Sequence, residues 1–173
     1  VYPADAFDDK FLDMLKQDRV ILEQLNKDWK TVVDDPKFNL FRDKLSNKFF
    51  DKAINPSSKL VLFSESVDTL NYLYDRLTKE IGCPDVLLVT AANRKRVGDT
   101  IKKNFDANHD VLEDEFNIII TSDVLAEGVN LHRSNVIVNY DSPWNATRLM
   151  QRIGRVNRIG SVAPNIYNYM FYP

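Results

Sequence analysis

Short apolar runs alternate along this chain with segments of helical periodicity, and no other feature constrains the fold as strongly. The first run, Lys59-Leu60-Val61-Leu62-Phe63-Ser64, is apolar at every interior position, which is typical of a strand buried on both faces. Further strands are predicted at residues 86–90, 116–121, 135–140 and 166–171. Because helical patterns separate the strands, the sequence predicts an α/β fold in which helices cover both faces of a parallel sheet.

Helices are predicted in the segments between these strands. Ser66 is a suitable N-cap for the first helix, and Gly82 is a suitable residue to end it. Asn93 is predicted to begin the second helix, although Gly98 in its interior lowers the helix propensity. A further helix is predicted after Pro143.

Residues 1–55 show helical periodicity and no strand alternation. Asp35 is a suitable N-cap, and Pro36 a suitable first residue, for a second helix in this region. The two apolar stripes are typical of buried helix faces. They comprise Phe11, Leu15, Leu22, Leu25 and Trp29 in the first helix, and Phe38, Phe41, Leu45 and Phe49 in the second. We interpret residues 1–55 as a helical lead-in that packs on the main domain or on a missing segment, and residues 56–173 as the main domain.

Length and composition are those of a soluble domain. The chain has 173 residues, of which 44% are hydrophobic and 28% charged, enough for one well-buried domain with a small appendage. The formal net charge is −2, so any contact with nucleic acid must come from a local patch of positive charge.

The single cysteine, Cys83, excludes an intrachain disulfide and a thiolate-rich metal site. It is consistent with a cytoplasmic location, where thiols stay reduced. No apolar run approaches the roughly 18–20 residues of a membrane span, so we expect no membrane contact. The chain begins without Met and ends in an apolar run, which we interpret as the sign of a piece of a longer protein.

Polar residues stand where the predicted strands end. In parallel sheets, ligands bind at the carboxyl ends of strands, and here those ends carry Ser64, Thr90, Thr121-Ser122-Asp123 and Asp141. The hydroxyls and amides of the turn at residues 121–131 could hold a phosphate. Gly128 would allow the backbone to approach a ligand closely. The alternative is an ordinary turn between a strand and a helix, with capping Ser and Asp side chains.

Residues 151–161 contain one glutamine and three arginines at helical spacing. On a helix, Gln151, Arg155 and Arg158 would fall within roughly 60° of one another, with Arg152 beside them. The opposite face would carry the apolar residues Leu149, Ile153 and Val156. The rigid fork of a guanidinium matches the oxygens of a phosphate, so this face is a candidate phosphate site. The alternative is a solvated basic face on an amphipathic helix.

Taken in order, these segments resemble the second RecA-like domain of superfamily 2 helicases and translocases. Residues 61–64 look like motif IV, residues 121–131 like motif V, and residues 151–161 like motif VI. Within the superfamily, the chain is most similar to the Swi/Snf-related branch, at Asn130-Leu131, Tyr140-Asp141, Trp144-Asn145, Gln151 and residues 155–160. The resemblance covers residues 59–171, and it implies a RecA-like fold of three layers.

The resemblance also implies a shared ATP site. In such motors, ATP and Mg²⁺ lie between two RecA-like domains and are held mainly by the first, which is missing from this chain. Arg155 and Arg158 match the catalytic arginine fingers. The residues implied for ATP binding are Gln151, Arg152, Gly128 and Asn130, the last of them near the ribose.

Nucleic acid is the second partner that the resemblance implies, besides the first RecA-like domain. The residues implied for contact with its backbone are Ser64, Thr90, Thr121 and Ser122. Because the Swi/Snf-related branch translocates on duplex DNA, we expect duplex DNA here.

The phosphate-binding motif G-x-x-x-x-G-K-[ST] does not occur in the sequence, and no Asp-Glu pair follows a strand as Mg²⁺ ligation would need. The chain alone is therefore expected not to hydrolyse ATP. His109 and His132 have no partner at ligand spacing, so no metal site is predicted. The alternative function is a RecA-like module without catalysis that binds nucleic acid or protein.

Overall fold

The computed structural model describes residues 3, 7–8, 10–32, 34–125 and 128–172. The chain divides into two compact units, residues 1–39 and residues 40–173. The helices are α1 (Phe11–Lys30), α2 (Pro36–Lys44, continued by a π-helical turn, Leu45–Phe49), α3 (Val67–Asp75, continued by a π-helical turn, Arg76–Ile81), α4 (Gly98–Phe105) and α5 (Ala146–Val156). The strands are β1 (Leu60–Phe63), β2 (Val86–Val89), β3 (Ile118–Thr121), β4 (Val136–Asn139) and β5 (Tyr167–Met170).

The strands form one parallel sheet in the order β2-β3-β1-β4-β5. The register aligns Val89, Thr121, Phe63, Asn139 and Met170 in one row at the carboxyl ends of the strands. The predicted α/β fold with a parallel sheet is therefore confirmed, and the strands differ from their predicted bounds by one or two residues at their ends.

Helices cover both faces of this sheet. Successive strand side chains point to opposite faces, and Val61 and Phe63 of β1 belong to a buried apolar cluster with Ile101 of α4 and Val156 of α5. On the other face, α3 lies against β2 and β3 and buries its leucine stripe of Leu70 and Leu73. Each buried aliphatic side chain removed from water contributes about 1.5–3 kcal/mol, so the two apolar faces hold the layers together.

The smaller unit contains α1, all of whose residues are exposed. Its apolar stripe is exposed as well, including Leu15, Leu22 and Trp29. The larger unit begins within α2, and there Phe41 and Phe49 are buried. The ring of Phe41 lies 5.9 Å from that of Tyr140, edge to face. The boundary between the units thus lies at residue 39, and the division predicted at residue 55 falls inside the larger unit. The packing of the lead-in on the main domain stays a prediction.

Asn93 does not begin a helix, contrary to the prediction. Its side-chain oxygen accepts a hydrogen bond from the Thr90 amide at 2.8 Å, and its amide donates to the Leu88 carbonyl at 2.9 Å. These bonds close a turn, and α4 begins only at Gly98. An Asn side chain that bonds its neighbouring backbone competes with the helix in this way.

Candidate functional site

The polar residues predicted at the strand ends lie side by side. Thr90, Ser122 and Ser64 each follow directly after the aligned row at the end of β2, β3 and β1. The sheet hydrogen bonds continue to this point, since the Ser64 amide donates to the Thr121 carbonyl at 3.1 Å. The structure thus brings these residues to one edge of the sheet, as expected for a parallel sheet.

Two of the four side chains predicted to contact nucleic acid are fully buried. The hydroxyl of Ser64 donates to the carboxylate of Asp141, and that of Thr121 donates to the Ser122 carbonyl at 3.1 Å. Their hydroxyls are used inside the domain, which corrects the expectation that they face a ligand. Thr90 and Ser122 are half-buried, and their contact with nucleic acid stays a prediction.

Arg152 is also buried, with no exposed surface. Its guanidinium forms a two-pronged ion pair with Asp123, at 2.6 Å and 3.0 Å. It donates a third hydrogen bond to the Asn139 side chain at 3.0 Å and lies 5.0 Å from the ring centroid of Phe63. The prediction that Arg152 lies beside Gln151, Arg155 and Arg158 on one ligand-facing side of the helix is therefore wrong.

Helical spacing explains the burial of Arg152. It lies three residues after Leu149 and four before Val156, on the apolar side of α5. A buried charge is tolerated when an opposite charge and hydrogen bonds satisfy it, and Asp123 on the turn after β3 does so. Arg152 therefore fixes α5 to the ends of β3 and β4 and is not available to a nucleotide in this structure.

Arg158 is not on α5, which corrects the helix predicted over residues 151–161. Asn145 caps the start of α5 by accepting from the Thr147 amide at 2.8 Å, and the helix ends at Val156. Arg155 is half-buried in the last turn, whereas Arg158 is exposed in the loop that follows. Gln151 is exposed on the helix itself.

The arginine loop and the turn after β3 are joined by main-chain and side-chain hydrogen bonds. The Leu131 amide donates to the Arg155 carbonyl at 2.9 Å, and the Val162 amide donates to the His132 carbonyl at 3.2 Å. Between these two bonds, the Arg158 guanidinium donates to the side-chain oxygen of Asn130. The two segments predicted to share a site are thus in contact.

Gly128 lies at the exposed surface of the same turn and has a left-handed backbone, with φ of +83°. This conformation favours glycine. A Cβ added here would lie 3.6 Å from a terminal nitrogen of Arg94, so the turn after β2 brings another guanidinium beside it. We did not predict Arg94, which follows the Thr90 strand end by four residues and could have been found from that spacing. Residues 126 and 127 lie outside the described part of the turn.

Within the described ranges, no three His, Cys, Asp or Glu side chains come together as a possible metal site. No helix of these ranges is long and apolar enough to cross a membrane.

Comparison with known proteins gives the family. Residues 38–160 match the model of the helicase conserved C-terminal domain. The chain belongs to this family. This chain is 42% identical over 60 residues to the uncharacterized ATP-dependent helicase YqhH of Bacillus subtilis, and the match covers 34% of the chain and 11% of YqhH. It is 28% identical over 126 residues to the ATP-dependent RNA helicase uap56 of Schizosaccharomyces pombe, covering 68% of the chain and 27% of uap56.

A solved structure gives the same fold for this helicase C-terminal domain. The C-terminal part of the Fun30 ATPase domain superposes with a TM-score of 0.59 at 18% identity, covering 91% of the chain and 49% of that structure. The predicted RecA-like fold is therefore confirmed. The chain spans about a tenth to a quarter of the length of the two curated relatives.

Proposed function

We propose that this helicase C-terminal domain is the second motor domain of an ATP-dependent DNA translocase or helicase. Arg155 and Arg158 act as arginine fingers toward ATP that is held mainly, with Mg²⁺, by a first RecA-like domain. The observation that carries the proposal is the exposed Arg158 guanidinium beside Asn130, where the arginine loop joins the turn after β3.

The charge of the fingers supplies the chemistry that this chain contributes. During phosphoryl transfer, negative charge spreads over the phosphate oxygens, and an arginine finger accelerates related NTPases by roughly 10³–10⁵. When bound, Mg²⁺ neutralises part of the same charge. Gln151 is exposed on α5, four residues before Arg155, and Gly128 is exposed on the turn after β3. Both positions suit a role in lining the cleft. We assign buried Arg152 to the support of α5 instead of nucleotide contact.

We propose the nucleic-acid backbone as the ligand of the strand ends, with Thr90 and Ser122 as its contacts. Their side chains are partly exposed on neighbouring strands, unlike those of Ser64 and Thr121. Duplex DNA is favoured by the similarity of Trp144-Asn145 and its neighbours to the Swi/Snf-related branch. Several relatives, uap56 among them, are named as RNA helicases, so stimulation of ATP hydrolysis by duplex DNA and by RNA should be compared directly. The single cysteine supports a cytoplasmic location.

The second candidate is a RecA-like module that binds nucleic acid or protein without taking part in catalysis. It is favoured by the lack of a G-x-x-x-x-G-K-[ST] motif in this sequence. We prefer the motor because Gln151, Arg155 and Arg158 occur together, and a module without catalysis has no physical need for this set.

Removal of either finger tests the proposal. In a protein that joins this chain to a first RecA-like domain, Arg155→Ala and Arg158→Ala should each lower kcat by about 10³-fold, because the lost charge acts chiefly in the transition state. The KM for ATP should change little, since its main anchor is on the other domain. Lys should restore little activity, because a point charge cannot reproduce the guanidinium fork.

Arg42→Ala is the matched control, since Arg42 is an exposed arginine of α2. It should leave kcat and the melting temperature unchanged. Turnover close to that of the unaltered protein in both finger variants would favour the module without catalysis.

A further inference from the structure

Asp106 begins a chain of hydrogen bonds that ends at Arg158. It directly follows α4, and its side chain is only 14% exposed. One carboxylate oxygen accepts from the Asn130 side-chain amide at 3.1 Å, and the other accepts from the Asn108 backbone amide at 3.0 Å. The oxygen of the same Asn130 amide accepts from Arg158.

These hydrogen bonds can run in only one donor-to-acceptor direction, from Arg158 through Asn130 to Asp106. An ionised carboxylate can only accept hydrogen bonds, and a guanidinium can only donate them. Asp106 therefore orients the NH₂ group of Asn130 toward itself, and the amide oxygen is left facing Arg158. Without the carboxylate, the amide could rotate and present its NH₂ group to the guanidinium, where two donors would meet.

The backbone around Arg158 is held against the same site. A Cβ added at Gly160 would lie 3.5 Å from the Asn108 side-chain oxygen and 3.7 Å from the ring of His132. His132 is buried, and its Nδ1 lies 3.6 Å from Asp106. Among the described residues, neither ring nitrogen of His132 has a hydrogen-bond partner. The His132 ring thus contacts Asp106 on one side and the arginine loop at Gly160 on the other.

We propose that Asp106 is a positioning residue for Arg158 and acts through the amide of Asn130. The inference rests on the proposed function, because it takes Arg158 as an arginine finger. A long, exposed side chain on a loop has many rotamers, and fixing it before the reaction avoids the entropic cost of ordering it in the transition state. Asn130 then serves the finger, which differs from the ribose contact that the sequence suggested.

An exchange of the two side chains tests this role in the two-domain protein. Asp106→Asn and Asn130→Asp should each lower kcat by about 10-fold with little change in KM. The first change leaves one acceptor oxygen at position 106 for two donors, and the second sets two carboxylates against each other, so both disturb the bond that orients the side chain at position 130. The double variant Asp106→Asn/Asn130→Asp reverses the direction of the first bond and keeps both bonds. It should restore kcat to within about 3-fold of the unaltered protein.

Asp99→Asn is the matched control, because it makes the same change at an exposed acid of α4. It should leave kcat unchanged. Melting temperatures are measured on every variant, and if Asp106→Asn does not fold, the comparison of Asn130→Asp with the double variant carries the test. A purely structural role would lower the melting temperature without changing the kcat of the folded protein.

Arg158→Ala, measured in parallel, distinguishes a failure of the positioning role of Asp106 from a failure of the proposed function. If it lowers kcat while Asp106→Asn and Asn130→Asp do not, the positioning role is overturned and the finger stands. If the single variants lower kcat and the exchange does not restore it, the positioning role is also overturned. If Arg158→Ala has no effect, the proposed function and the inference fall together.

Discussion

Three arginines within seven residues of this domain occupy different environments. Arg152 is fully buried, Arg155 is half-buried and Arg158 is exposed. The difference follows from the end of α5 at Val156 and from the position of Asp123 opposite the helix. Arg152 is buried and paired, so it supports the fold, whereas the exposed Arg158 is the arginine that we propose as a finger.

At the residue scale, we predict that Arg152→Leu lowers the free energy of unfolding by about 3 kcal/mol, at the lower end of the range for breaking a buried ion pair. The lower end is expected because the Asp123 side chain is 25% exposed and water can partly solvate it. Urea unfolding of the isolated chain measures the change.

The double variant Arg152→Leu/Asp123→Leu is the control for that prediction. It removes both charges, so it should recover part of the lost stability, whereas Arg158→Ala should cost little. An Arg152→Leu protein as stable as the unaltered one would mean that the pair does not hold α5 in place.

At the scale of secondary-structure elements, ion pairs of Asp114 hold the later part of the loop between α4 and β3 at the amino edge of the sheet. Lys59, at the start of β1, is buried and donates to the Phe116 carbonyl at 2.8 Å. Its burial lowers the pKa of its ammonium, although Asp114 acts to raise it. Asp114 pairs with Lys59 at 3.0 Å and with Arg133 at 2.7 Å. One carboxylate thus joins the loop to β1 and to the start of β4.

This pairing predicts a stability that depends on pH. Burial acts to raise the pKa of Asp114, but the hydrogen bonds and charges of Lys59 and Arg133 outweigh it and hold the pKa below its ordinary value of 3.8. A lowered folded-state pKa contributes stability that is present above the unfolded pKa and is lost as the pH falls through the folded pKa. The stability difference between the unaltered protein and Asp114→Asn should therefore shrink below about pH 4.

Urea unfolding at pH 7 and at lower pH values measures this difference. Asp110→Asn changes an exposed acid of the same loop, and it should leave the pH profile unchanged. A difference that stays constant as the pH falls would show that the carboxylate charge does not fasten the loop.

At the scale of the whole molecule, the predicted nucleic-acid contacts and the proposed fingers occupy different places. Thr90 and Ser122 lie at the carboxyl edge of the sheet, whereas the arginine loop follows the C-terminal end of α5 and contacts the last residues of the turn after β3. The amino edge of the sheet carries the buried Lys59 and its partners. A site that another domain completes is consistent with the proposed motor, in which two RecA-like domains enclose ATP.

The isolated chain should therefore show no ATP hydrolysis above background, with or without duplex DNA. The groups expected to hold the phosphates and Mg²⁺ belong to the first domain, and fingers without them have no bound substrate to act on. A coupled assay of the 173-residue chain, with the two-domain protein as the positive control, measures this. Turnover by the chain alone at the rate of that control would overturn the two-domain interpretation.

The sequence by itself determined the local structure. Apolar runs predicted the five strands of the described sheet, Pro143 marked the region where the arginine helix starts, and the order of segments indicated the family. Periodicity and capping act over a few residues, so they can be predicted without knowledge of the fold.

Tertiary structure alone decided the strand order and the partner of each polar side chain. Arg152 pairs with Asp123, which is 29 residues earlier, and Asn130 bonds to Asp106, which is 24 residues earlier. The helical spacing of α5 places Arg152 on the apolar side of the helix, but only a carboxylate from another element makes its burial favourable. For the same reason Asp106 carried no signal in the sequence, because its proposed role depends on two side chains that the folded chain brings to it.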